Sequence, residues 1–197
     1  MNSKIESKAQ AQLFSDARTF NAFLNKPVPD ELIQELYDLM KWAPTSMNCQ
    51  PGYYVVVRST EAKEKLKKAL APGNQEKTMA APATVIIASD TQFYNNLPKL
   101  FPANPGAKDM FANNDVMREA TAFRNSTLQG AYFIMAARSL GLDCSPMSGF
   151  DNKVLDDAFF ADGRYKSNFI INIGYGDASK NYPRGPRLSF EDVVKII

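Results

Sequence analysis

The order of patterns along this 197-residue chain predicts an α+β fold with a small central sheet. Stretches with apolar residues at helical spacing outnumber the β-branched runs, and the two kinds do not alternate as strand–helix–strand units. With 45% apolar and 22% charged residues, and no internal repeat, low-complexity segment or linker-like composition, one domain over residues 1–197 is expected.

Residues 10–24 carry Leu13, Ala17, Phe20 and Leu24 at spacings of three and four, which predicts a first helix ended by Lys26-Pro27. Pro29-Asp30 opens a second helix over Glu31 to Trp42, with Leu32, Ile33, Leu36, Leu39 and Met40 at helical spacing. Tyr53 to Arg58 is β-branched and aromatic, as a strand requires. Thr60 is placed to cap a charged helix from Glu61 to Leu70, which Ala71-Pro72-Gly73-Asn74 breaks. The apolar run Ala83 to Ala88 reads as a strand buried on both faces. Leu97 to Lys108 has three prolines, a glycine and no periodicity, and is expected to be a loop. Asn114 to Leu140 is the longest helical pattern, about 40 Å at the usual rise per residue. Its expected core stripe is Met117, Phe123, Leu128, Ala131, Tyr132, Met135 and Leu140, and Gly141 stops it. Ser167 to Ile173 is the next buried strand, and Leu188 to Ile197 an amphipathic tail.

Composition excludes several kinds of chemistry. There is no histidine, which removes Ser-His-Asp triads, Cys-His pairs and nearly every zinc site, so no metal is expected. Cys49 and Cys144 form neither a CxxC motif nor a disulfide framework, and a small buried side chain is the expectation for Cys49. Net charge is +2 with both signs interspersed, which offers nothing to nucleic acid or a membrane surface. Met-Asn-Ser-Lys-Ile-Glu-Ser-Lys at the start has no apolar h-region, and no segment approaches a membrane span, so a cytoplasmic location with free thiols is expected. No P-loop is present. Gly174-Tyr175-Gly176 follows a strand, but Ser179 and Lys180-Asn181-Tyr182-Pro183 do not complete a dinucleotide fingerprint.

The stretch that stands out is Ala43-Pro44-Thr45-Ser46-Met47-Asn48-Cys49-Gln50-Pro51, between the second helix and the first strand. Thr45, Ser46, Asn48 and Gln50 each donate and accept hydrogen bonds without charge, which suits a flat, heteroatom-rich ligand. By residue type alone a polar loop accounts for it. The order of residues, however, closely resembles the flavin-binding signature of the nitroreductase-like family of FMN enzymes. That family normally has Trp after the last proline, where this chain has Gly52.

Further pieces carry the resemblance from about residue 12 to 192. Arg18-Thr19-Phe20-Asn21-Ala22-Phe23 is similar to the family's N-terminal phosphate and ribityl motif, with Asn21 where Arg or Lys is usual. Asn74 and Lys77 look like its Asn-x-x-Lys pair, which reaches the flavin, the lysine near N1 and O2. Pro146-Met147-Ser148-Gly149 resembles the segment whose backbone faces N5, and a glycine admits close approach to a ring. A helix stop and a turn explain Gly141 as well. Arg187 looks like the C-terminal arginine over the phosphate, with Arg184 as a second cation. Within the family, Leu39 to Trp42, Phe123-Arg124-Asn125-Ser126, Pro146 to Asp151, Ile171 to Asp177 and Pro186 to Phe190 resemble the malonic semialdehyde reductase branch.

The resemblance implies a nitroreductase-like fold, with a small, mostly antiparallel sheet surrounded by helices and the long helix at a homodimer interface. It implies FMN sites between subunits, with the Pro44 to Ser46 end reaching the FMN held mainly by the other chain. NADH or NADPH would pass hydride to the flavin, which reduces a small-molecule acceptor such as 3-oxopropanoate in pyrimidine degradation. Lys77 is the candidate catalytic cation. The alternatives are a general nitroaromatic or quinone reductase, a flavin-binding protein without rapid turnover, and a plain interaction protein in which every motif is a turn or a cap.

Overall fold

The computed structural model describes residues 3–197, so Met1 and Asn2 of the polar N-terminal stretch lie outside it. An antiparallel sheet of four strands forms the centre, in the order β1 (Gly52–Val57), β2 (Ala83–Asp90), β4 (Tyr165–Gly174), β3 (Asp143–Met147). The helices are α1 (Ser7–Gln10, running into a π turn over Ala11–Ser15), α2 (Asp30–Met40), α3 (Thr60–Lys67), α4 (Pro72–Ala80), α5 (Leu97–Leu100), α6 (Ala107–Ala112), α7 (Asp115–Ser139), α8 (Asn152–Phe159) and α9 (Phe190–Val193). This is the expected α+β architecture.

β2 pairs with β4 from Ala83↔Ile173 to Asp90↔Tyr165, and all eight β2 residues are buried. Its continuous apolar run follows from cover on both faces. Leu36 and Met40 of α2 and Phe133, Ala136 and Ala137 of α7 pack on one side. Leu66 of α3 and Leu155 of α8, with Ala69 and Leu70, pack on the other. A third cluster, Cys49, Phe93, Leu97, Ala107, Phe111 and Ala122, seats α5 and α6 beside the start of β1.

Several expectations are corrected. Helical geometry ends at Ser15, not Leu24. Thr19 bridges Cys144, Phe23 bridges Gly176, and the Phe20 and Leu24 amides donate to the Cys144 and Tyr175 carbonyls, so residues 19–24 spend backbone groups on the sheet edge and the residues just past its strands. The cap of α3 is Ser59, which accepts from the Ala62 amide, and Pro72 opens α4 instead of only ending α3. Its missing N–H costs nothing in a first turn. The 97–108 stretch holds α5 and the start of α6, anchored by buried Leu97 and Ala107. The sequence pattern predicts neither β3, a five-residue edge strand where Pro146 is tolerated, nor α8 after it.

The long helix has its predicted span, with Asn114 accepting from the Met117 amide as cap. Its buried face is a different one. Thr121, Ala122, Asn125, Ser126, Gln129, Gly130, Phe133, Ala136 and Ala137 are buried, while Phe123, Leu128, Ala131 and Tyr132 are exposed. Small residues are needed against the sheet: a Cβ on Gly130 would run into the Phe169 ring.

Candidate active site

The extended segment carrying Arg18, Thr19 and Asn21 runs beside β3. These three line a cavity of about 610 Å³ with Arg187 and Arg184, and with Arg138 of α7, which no sequence motif marked. Each guanidinium is steadied by a backbone carbonyl: Arg18 donates to Tyr182, Arg138 to Leu13 (2.9 Å), Arg184 to Ala17 (3.1 Å) and Arg187 to Pro186 (2.9 Å). None of the four forms an ion pair with a carboxylate among the described residues. Fixed positive charge around an open cavity suits a phosphate-sized anion. Asn21 brings no charge there; Arg138 and Arg184 do.

Past the end of β3, α4 presents Asn74 and Lys77 one turn apart. The Asn74 amide donates to the Gly149 carbonyl (2.9 Å), as does the Ala71 backbone (3.0 Å). A Cβ on Gly149 would stand 2.5 Å from Asn74 Nδ2, so the position admits only glycine without a shift. Pro146 and Met147 belong to β3, and Ser148 is exposed. Lys77 is half-buried, and desolvation pushes its pKa below the ordinary lysine value.

The backbone under Lys77 is held from beneath. Buried Asn172 of β4 donates to Thr78 Oγ1 (3.2 Å) and to the Lys77 carbonyl (3.4 Å), and accepts from Thr84 Oγ1 (2.7 Å). Lys63, nearly buried, donates to the carbonyls of Met79 (3.0 Å) and Ala81 at the end of α4. Burial lowers its pKa as well.

Pro44, Thr45, Ser46, Asn48 and Gln50 lie elsewhere. They lead into β1, the opposite edge of the sheet, three strand spacings or about 14 Å away. Met47, Asn48 and Gln50 have φ of 51°, 49° and 41°, and they are the positive-φ residues other than glycine in the described chain. Such clusters of costly backbone accumulate at functional loops. Thr45 Oγ1 accepts from the Gln50 amide (3.2 Å), Gln50 Nε2 donates to Asn48 Oδ1 (2.8 Å), and Asn48 Nδ2 donates to the Leu100 carbonyl (2.9 Å). Pro44 and Ser46 are exposed. A cavity of about 440 Å³ adjoins the loop, lined by Trp42, Pro44, Thr45, Asn48 and Gln50 among others. Cys49 is buried as expected, and burial raises its thiol to about 11; Cys144 is raised to about 12.

The sequence-predicted residues therefore fall into two groups. Arg18, Thr19, Asn21, Asn74, Lys77, Pro146, Met147, Ser148, Gly149 and Arg187 gather around β3, and the 44–50 loop stands at β1. Among the described residues no group of three or more His, Cys, Asp or Glu is placed to hold a metal ion.

A family described as the nitroreductase family matches residues 16–175. A provisionally named NADH dehydrogenase/NAD(P)H nitroreductase of Rhodopseudomonas palustris (strain TIE-1) is 55% identical over 197 residues, covering 100% of both chains. A provisionally named nitroreductase of Bacillus subtilis superposes with a TM-score of 0.86 at 24% identity, over 98% of this chain and 100% of its own. One from Exiguobacterium sibiricum, crystallised in complex with FMN, gives 0.86 at 18% identity over 100% of both. These two share the fold. With the match running from the arginine segment beside β3 to the end of β4, the chain belongs to the nitroreductase family.

Proposed function

We propose that the protein is an FMN-dependent NAD(P)H oxidoreductase whose cofactor lies between two copies of the chain, and that it reduces 3-oxopropanoate to 3-hydroxypropanoate. The observation that carries the cofactor is the set of guanidiniums without carboxylate partners around the β3-edge cavity. The names of relatives agree: the R. palustris protein is named for NADH and NAD(P)H, and the E. sibiricum structure contains FMN.

In this reading Arg18, Thr19, Asn21 and Arg187 hold the phosphate and ribityl chain, with Arg138 and Arg184 adding charge. The backbone of Pro146, Met147, Ser148 and Gly149 lies against the ring. Asn74 buttresses Gly149, and Lys77 sets positive charge at the pyrimidine edge, where electrostatic stabilisation acts without reorganisation. The ring's other side is covered by the 44–50 loop of a second copy, because one chain holds that loop at the far edge of its sheet. The exposed Phe123, Leu128 and Tyr132 of α7 make the apolar face between the copies. FMN, when bound, supplies the hydride carrier between NADH or NADPH and the acceptor. No histidine is needed for that chemistry.

The 3-oxo acid rests on the resemblance of the Phe123 to Ser126, Pro146 to Asp151 and Ile171 to Asp177 segments to the malonic semialdehyde reductase branch. The second reading, a general nitroaromatic or quinone reductase, is favoured by the nitroreductase name of the relative. A third, a flavin-binding protein without rapid turnover, differs in not bleaching. A cytoplasmic location fits two free thiols, and among the described residues no helix is long and apolar enough to cross a membrane.

The test is a visible spectrum with added FMN, then anaerobic NADPH or NADH, then 3-oxopropanoate or a nitrofuran. Bleaching by nicotinamide and recovery with 3-oxopropanoate is the expected result. Recovery only with the nitrofuran selects the second reading, a bound flavin that never bleaches the third, and no bound flavin removes the proposal.

A further inference from the structure

We infer that Asn125 and Gln129 of α7 are positioning residues that set the shape of the 44–52 loop. The link to catalysis rests on the reading in which that loop covers FMN. Both side chains are almost wholly buried, 3% and 4% exposed, and four residues apart they project from one helix face. Asn125 Oδ1 accepts from the Ser46 amide at 2.8 Å. Its Nδ2 donates to the Thr121 carbonyl at 2.8 Å, which fixes which way the amide faces. One turn on, Gln129 Oε1 accepts from the Gly52 amide at 2.8 Å.

Ser46 and Gly52 bracket the segment that contains Met47, Asn48 and Gln50 in left-handed backbone. Such backbone persists only where surroundings over-determine it, and two buried acceptors at the segment's two ends do so. Core helix positions ordinarily carry apolar side chains; here two amides are kept, and each spends its carbonyl on this loop.

The same contact explains the departure at Gly52. A Cβ there would stand 2.9 Å from Gln129 Oε1 and closer still to the Tyr54 hydroxyl. A larger residue at 52 would need the Gln129 and Tyr54 ends to shift, so Gly52 and Gln129 form one device. The helix that turns Phe123 and Leu128 outward thereby holds the loop inward.

Two variants separate the acceptor from its bulk: Gln129→Met removes it at similar size, and Gln129→Glu keeps it. In the full-length protein, FMN affinity followed by flavin fluorescence is expected to fall about tenfold in Gln129→Met, with helical content, Tm and sedimentation unchanged, and to recover in Gln129→Glu. Wild-type affinity in the folded Met variant would overturn the proposal. A second measurement needs neither variant nor FMN: in the wild-type protein, amide exchange at Ser46 and Gly52 is expected to be as slow as in the core of α7. Unprotected exchange at both would overturn the proposal by itself. If wild-type protein binds no FMN, the functional reading fails, and the exchange measurement still decides the clamp.

Discussion

The two edges of the sheet are built from different materials. At β3 the candidate side chains are cations and the special backbone position is a glycine: Arg18, Arg138, Arg184 and Arg187 line open space, Lys77 stands on α4, and Gly149 leaves room for the Asn74 side chain to pack against the backbone. At β1 the side chains are neutral, and three residues with side chains hold backbone that ordinarily favours glycine. Charge suits a phosphate and a pyrimidine edge, whereas neutral donors and acceptors suit a ring. The strained side is the side that buried amides hold, and the charged side is pinned by backbone carbonyls and by Asn172 and Lys63 under α4. In the proposed reading each edge is half of the site, and two copies of the chain bring the halves together.

Lys77→Ala strips the reacting half of its charge while leaving the 44–50 loop intact. We expect kcat/KM for the reductase, per bound FMN, to fall about 100- to 1000-fold, near 3–4 kcal/mol; a steady-state assay normalised to the flavin spectrum checks it. Gly149→Ala tests the packing of Asn74 against the 146–149 segment. Its Cβ would collide with Asn74 Nδ2, so FMN affinity is expected to drop about tenfold or more while Tm falls by only a few degrees. Fluorescence titration and a thermal melt read the two effects separately.

The smallest effect belongs to the thiols, one at each edge. Burial raises both, to about 11 and 12, so neither should react with a disulfide reagent at pH 8 until the protein is unfolded. The folded state holds a proton that an unfolded thiol releases above its ordinary value of 9.0, so the stability involved is complete below pH 9.0 and is lost as pH rises through 11. Thermal melts across that range should fall with pH, and Cys49→Ser should flatten part of the fall.

What was legible in the sequence follows the same division. The 44–51 stretch is contiguous, and order alone marked it. The β3-edge residues are scattered from Arg18 to Arg187, and resemblance picked them out; Arg138 has no local signature and needed the fold. Strands with continuous apolar runs, such as β2, were readable. β3 was not, because Asp143, Ser145 and Pro146 are poor strand formers held by their pairing with β4. The helix over 10–24 failed because backbone bonding to a sheet edge outweighed side-chain periodicity. The stripe on α7 failed for the opposite reason: its apolar residues face outward, and polar ones are buried where they bond to a loop distant in sequence.

The shared site is tested most directly by complementation. Chains carrying Lys77→Ala are co-expressed with chains carrying Ser46→Trp, which blocks the exposed loop while leaving the Ser46 amide free to donate to Asn125. Each variant alone should be nearly inactive. If the halves come from different copies, a mixed dimer has one site with both defects and one with neither, so the mixture should regain about a quarter of wild-type activity in a two-fold dimer. Activity no greater than the sum of the two variants alone would contradict a site built from opposite edges of two chains.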